Sequence, residues 1–227
     1  MKPLVIFDCD GVLVDSETIA SEVFAAHLSA AGFPCTPQDC RERFTGLSLA
    51  SCRQLIEKES GRSLPPDFFE HLQWETFARF AESLQPVAGI FDVLHCLQEW
   101  QWDFCVASSG SHDKMAMTLK ATGLHSYFAG RIFSASEVAA GKPAPDLFLY
   151  AGARMGFAAS QCIVVEDSLP GVRAAQAASM PVCAFGAHHA ADARLCGSAD
   201  AQAFTCMSEL PAILLSMQCR LLRQQEQ

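Results

Sequence analysis

Five short apolar runs set the fold: Leu4–Phe7, Phe104–Ala107, Arg131–Phe133, Cys162–Val165 and Pro181–Phe185. Each has the length of a strand, and none alternates with polar residues. Such runs suit strands of a parallel sheet covered on both faces. From the second run onward they recur roughly every 20–30 residues, the spacing of strands joined by single crossover helices. The first gap is different. From Phe7 to Phe104 no strand-like run occurs, so a helical insert is expected after the first strand.

Helix signals fill the gaps. Ile90, Val93, Leu94 and Leu97 share one helical face; Ser111 can cap a helix ending at Gly123, and Pro145 can open one ending at Gly156. Within the insert, helices are expected over Ser16–Ala31, from Thr36-Pro37, over Ser48–Gly61 and over Asp67–Leu84, the last with Phe69, Leu72, Phe77 and Phe80 as its core stripe. The fold class is therefore α/β: a doubly wound, Rossmann-like parallel-sheet core with an inserted helical-bundle cap. The core would comprise residues 1–15 and 86–227, and the cap residues 16–85.

Bulk properties narrow the partners. A formal charge of −9 over 227 residues repels nucleic acid and anionic membranes. Half of the residues are apolar and 18% are charged, which describes a packed chain. The eleven cysteines contain no CxxC pair. Cys105, Cys162 and Cys183 interrupt aliphatic runs, where a thiol serves as a small hydrophobe. With only Leu4–Phe7 as an early apolar run, no export signal is read, and a cytoplasmic monomer or weak homodimer is expected.

Four stations carry chemistry, each at a strand end or in the loop that follows. Asp8-Cys9-Asp10-Gly11 follows the first run; Ser108-Ser109-Gly110 ends the second; Gly141-Lys142-Pro143-Ala144-Pro145 precedes a helix start; Glu166-Asp167 ends the fourth run. A parallel sheet would gather them at its carboxyl edge, where ligands bind in open α/β folds. Taken singly, each has an ordinary explanation as an Asp-Gly turn, a serine turn, a solvated lysine or an acidic helix cap. Together they suit phosphoryl transfer. Magnesium takes hard oxygen ligands, which Asp8 and Asp167 could supply with a contribution from Asp10. Asp8 could attack phosphorus to form a covalent intermediate. Asp10 could act as acid and then base, while Ser108, Ser109 and Lys142 hold the transferring oxygens.

These motifs resemble those of the haloacid dehalogenase superfamily, in particular its β-phosphoglucomutase-like and 6-phosphogluconate phosphatase-like members with a helical cap. The likeness runs through Phe7–Glu17, Val106–Gly110, Gly141–Asp146 and Val165–Ser168. It implies Asp8 as nucleophile, Asp10 as acid/base, Ser108 and Lys142 as phosphate ligands, Asp167 as a ligand of Mg2+, and Glu166 as a helper near the metal. The presence of Asp10 argues against dehalogenation, which has no alkoxide to protonate. Mutases of this group carry a histidine and an arginine where this chain has Ala20 and Leu49, so hydrolysis of a small phosphorylated metabolite is favoured over isomerisation. A sugar phosphate or sugar-acid phosphate such as 6-phosphogluconate is the implied substrate class. In the cap, the segment Arg43-Phe44-Thr45-Gly46-Leu47-Ser48 is the candidate selectivity loop, with Arg43 able to meet a sugar-acid carboxylate. The rival from another class is a phospho-receiver module, which lacks both the long insert and an acidic pair after the lysine.

Overall fold

The computed structural model describes residues 2–44, 49–186 and 201–225. Six strands form one parallel sheet in the order β3-β2-β1-β4-β5-β6: β1 Leu4–Phe7, β2 Asp103–Ser108, β3 Ile132–Ser134, β4 Cys162–Glu166, β5 Val182–Phe185 and β6 Ala201–Phe204. Between β1 and β2 lie α1 Ser16–Ala30, α2 Pro37–Phe44, α3 Leu49–Ser60, α4 Phe68–Ser83 and α5 Ile90–Trp100; later come α6 His112–Ala121, α7 Asp146–Arg154, α8 Leu169–Ala177 and α9 Leu210–Gln225. The chain divides into two compact units, residues 1–14 with 86–227, and residues 15–85.

In the first unit β1 is the hinge of the topology. It pairs with β2 on one side and β4 on the other, with Phe7 level with both Val106 and Val165. All four β1 side chains are completely buried, each contributing roughly 1.5–3 kcal/mol by leaving water. Leu4 and Ile6 join Cys105, Ala107 and Val164 in a cluster completed by Leu147 and Phe148 of α7 and Val172 of α8. On the alternate positions, Phe7 meets Phe128 edge-on at 6.3 Å between ring centroids. Both faces are therefore covered, which accounts for the unbroken apolar runs.

The helix starts follow their caps. Ser111 accepts from Lys114 N to open α6, and Ser168 accepts from Gly171 N to open α8. Cys105, Cys162 and Cys183 are fully buried, and burial raises all three thiols, that of Cys162 to about 12. No described helix is long and apolar enough to cross a membrane.

Two readings shift. In α4, Phe68 rather than Phe69 takes the buried position beside Leu72 and Phe80. Phe69 and Phe77 are only half-buried, with Phe69 packed against Phe24 and beneath the Arg53 guanidinium. Strand β6, Ala201–Phe204, has no counterpart among the apolar runs. Among the described residues it pairs only with β5 and buries only Phe204 well, and an edge strand needs no continuous apolar sequence.

Candidate active site

The parallel register brings three strand ends together. Phe7 is level with Val106 and Val165, so Asp8 follows β1 at the height of Ala107 and Glu166. The Asp8 amide donates to Val165 O at 2.9 Å, extending the ladder by one residue and fixing the aspartate at the edge. This is the point where strand order reverses about β1, the usual location for a ligand site.

Four of the sequence candidates meet here. Lys142 Nζ lies 2.5 Å from Asp8 Oδ1 and 2.6 Å from Glu166 Oε2, with its side chain only 5% exposed. Carboxylate oxygens of Asp8, Glu166 and Asp167 lie within 4.8 Å of one another. Three carboxylates facing one ammonium leave two negative charges if all are ionised. Such crowding needs a cation or a retained proton. Burial, chiefly, with repulsion from Glu166 and Asp10, raises Asp8 to about 7 despite the opposing pull of Lys142. Burial alone would lower Lys142, but attraction to Asp8 and Glu166 prevails and raises it. The two directions agree: the one ammonium, shared by two carboxylates, is well satisfied, whereas Asp8 has too little positive charge near it to offset its burial.

Glu166 is 1% exposed and heavily engaged. Its Oε2 accepts from Lys142, and its Oε1 accepts from Asp167 N at 3.1 Å, Ser168 N at 3.0 Å and Ser168 Oγ at 2.7 Å. Two glycines make room for this packing. A Cβ on Gly171 would fall 2.0 Å from Glu166 Cδ, and one on Gly11, at φ +78°, would fall 2.0 Å from Asp167 Oδ2. A hard, doubly charged ion matches this donor set in charge and in oxygen chemistry.

The remaining candidates are placed as follows. The Asp10 carboxylate lies outside the three-carboxylate group and accepts from Lys114 Nζ at 2.6 Å. Ser108, 2% exposed, ends β2, and its Oγ accepts from Gly110 N at 3.1 Å. Ser109 is exposed in the turn that follows. That turn is buttressed from β3, where Ser134 Oγ donates to Gly110 O at 2.7 Å. Arg43 belongs to the other unit, where it pairs with Glu59 and stacks on Phe44. Thr45 and Gly46 lie outside the described residues. Sequence reasoning gave Lys114 no role, although its place three residues after the capping Ser111 turns it into the first turn of α6. Ser134 was also missed, and a lone serine at the end of a three-residue strand carries no sequence signal.

Known proteins resemble this chain in sequence and in fold. The chain is 31% identical over 182 residues to the 6-phosphogluconate phosphatase of Escherichia coli, covering 80% of this chain and 81% of that one. A conserved haloacid dehalogenase-like protein of unknown function from Agrobacterium tumefaciens superposes with a TM-score of 0.86 at 32% identity, covering 96% of this chain and 99% of that one. A HAD-family hydrolase of Deinococcus radiodurans, solved with phosphate and sodium bound, gives 0.84 at 27% identity over 95% and 96% of the two chains. The family model described as haloacid dehalogenase-like hydrolase matches residues 2–179, and the chain belongs to that hydrolase family.

Proposed function

We propose that this protein is a magnesium-dependent phosphatase that hydrolyses a small sugar phosphate or sugar-acid phosphate through an aspartyl-phosphate on Asp8. The observation that carries the reading is the Asp8 carboxylate, gripped by Lys142 beside Glu166 and Asp167 at the sheet edge. The name of the Escherichia coli relative supports the sugar-acid substrate class.

The chain's own groups divide the work. An Asp8 oxygen forms a bond to phosphorus as the ester P–O bond breaks, and Asp10 gives its proton to the departing alkoxide. Water then attacks the phosphorus, Asp10 takes a proton from that water, and the bond to Asp8 breaks to release phosphate. Splitting one displacement into two is the benefit of the covalent route, and returning the proton to Asp10 closes the cycle. Ser108 and Lys142 hold the transferring oxygens, the lysine offsetting their charge in a site where little water screens it. Asp8 and Asp167 would hold Mg2+, with Glu166 engaged chiefly in fixing Lys142 and the Asp10 side chain directed to Lys114. When bound, the ion would supply positive charge that favours ionised Asp8 and polarises a phosphoryl oxygen.

The test is phosphate release from a panel of sugar phosphates, sugar-acid phosphates and phosphoglycolate, comparing the wild type with Asp8→Asn. Metal-dependent turnover by the wild type, absent from the variant, is expected. Isomerisation of β-glucose 1-phosphate without release would instead mark a mutase. A single phosphate retained per chain with no turnover would mark a receiver.

A further inference from the structure

Away from the acidic site, two thiols meet in the unit formed by residues 15–85. Cys35 Sγ lies 3.3 Å from Cys40 Sγ. Their approach is set by how α2 begins. Asp39 N donates to Thr36 Oγ1 at 3.1 Å, while Thr36 N donates to Asp39 Oδ2 at 2.8 Å. This reciprocal cap makes Thr36 the residue that opens the helix. Cys35 then stands just before the cap and Cys40 is the fourth helical residue, the two positions that an apolar pair normally staples at a helix start. In an ordinary staple the side chains can only touch. Here both are thiols, and a modest closure would bring them to the sulfur–sulfur bond length of about 2.05 Å.

The two thiols differ in access. Cys40 is 3% exposed, and burial, followed by its contact with Cys35, pushes its thiol up to about 12. Cys35 is partly exposed and lines a cleft of about 340 Å³ with Phe33, Arg43 and Arg62. The Arg62 guanidinium stacks 5.2 Å from the Phe33 ring centroid; Glu59, which also lines the cleft, pairs with Arg43, so Arg62 leaves the cleft with one positive charge in excess. An accessible sulfur backed by a sheltered one is the arrangement of an attacking thiol and a resolving thiol.

We propose that Cys35 and Cys40 form a reversible modification site, closed to a disulfide by a small anionic disulfide such as oxidised glutathione. In the first step the Cys35 thiolate attacks one sulfur of the oxidant, the oxidant's S–S bond breaks and one glutathione thiolate leaves with the electron pair. Cys40 then gives up its proton to solvent and attacks Cys35 Sγ, displacing the second glutathione thiolate. Two protein thiols are oxidised and one small disulfide is reduced to two thiols. The closed ring spans only residues 35 to 40, so the stabilisation from constraining the unfolded chain is small compared with longer loops. Excess thiol reverses the exchange.

The experiment uses the full chain carrying Cys96→Ser, Cys196→Ser, Cys206→Ser and Cys219→Ser, equilibrated in buffers of reduced and oxidised glutathione, alkylated and mapped by mass spectrometry. The expected product is one internal bond between Cys35 and Cys40, lost again in excess reduced glutathione. Adding Cys40→Ser should leave a stable glutathione adduct on Cys35, and adding Cys35→Ser should leave Cys40 unmodified. The unsubstituted protein mapped in parallel keeps the test independent of how well the variants fold. Both thiols remaining reduced, an adduct on Cys35 that never closes, or a bond from either to another cysteine would each overturn the proposal.

Discussion

Lys114 Nζ lies 2.6 Å from Asp10 Oδ2, tying the first turn of α6 to the turn after β1. Both side chains are about a quarter exposed, at 26% and 23%. Burial by itself would lower the Lys114 ammonium, but attraction to Asp10 and the hydrogen bond between them leave it raised. Any stability from this raised group is present below its unfolded value and is lost only as pH climbs through the higher folded one. The ammonium therefore keeps its charge across the neutral range. The pair's partial exposure limits its worth to about 1 kcal/mol, so its main effect is to hold Asp10, the proposed acid/base, in place. Lys114→Met should lower kcat about 10-fold with KM within about 2-fold, and Lys114→Arg should recover part of the loss. A Lys114→Met enzyme with unchanged kcat would separate this lysine from the chemistry.

The strands β1, β2, β4 and β5 were legible because burial on both faces writes itself into uninterrupted apolar sequence. Leu4–Phe7 has the same limits in both readings. The edge strand Ala201–Phe204 was hidden because, among the described residues, one flank has no neighbouring strand to demand hydrophobicity. At the site, the sequence marked which residues reach the sheet edge but not their pairing. Sharing of Lys142 between Asp8 and Glu166, and the turn of Asp10 toward Lys114, depend on side-chain directions that strand spacing does not encode. The glycines illustrate the same limit. Gly11 reads as a turn residue and Gly171 carries no sequence signal of its own, yet each clears space for a carboxylate brought in from elsewhere in the fold or from five residues upstream.

The metal-free protein should lose stability as pH rises from about 4 to about 7. Asp8 moves from 3.8 to about 7, chiefly through burial, so across that window the folded state binds more protons than the unfolded one. Stability then falls with increasing pH. Asp8→Asn should flatten the slope and raise the Tm of the metal-free protein at pH 7.5 by a few degrees, on the order expected for 1 kcal/mol or more. Magnesium should stabilise the wild type at pH 7.5 more than at pH 5, because binding requires the carboxylate. Thermal melts at the two pH values, with and without the ion, measure all three. Parallel pH profiles for wild type and variant would contradict the assignment.

Gly11→Ala should damage the site in two ways. At φ +78° a side chain is strained, and its Cβ would overlap Asp167 Oδ2. The backbone cost is about 1–3 kcal/mol, and the displaced carboxylate weakens any metal held by Asp8 and Asp167. The expected result is a lower Tm together with a rise of about 10-fold or more in the magnesium concentration needed for half-maximal turnover, the scale on which disturbed supporting groups alter metal sites. Gly61→Ala is the control, since its φ is +67° but no atom lies within 4 Å of the added Cβ. It carries the backbone strain without the collision, so its magnesium requirement should stay unchanged.

Glu166→Gln tests whether the buried glutamate holds Lys142 in place. The wild-type carboxylate accepts from Lys142 on one oxygen and from three donors of residues 167 and 168 on the other. A glutamine has a single acceptor oxygen. Its amide nitrogen must face either the ammonium or the three donors, so one side of the network loses its acceptor. Disrupting a buried charged network of this kind costs about 3–5 kcal/mol, which a denaturation curve would register. The substitution also removes a negative charge that raises Asp8, so the stability loss of the metal-free protein with rising pH should begin at the same pH, near the unfolded value, but end at lower pH, spanning a narrower window. A merely structural residue would lower the Tm without moving that window. If the midpoint falls but the pH dependence stays that of the wild type, Glu166 supports the fold without setting the charge balance of Asp8.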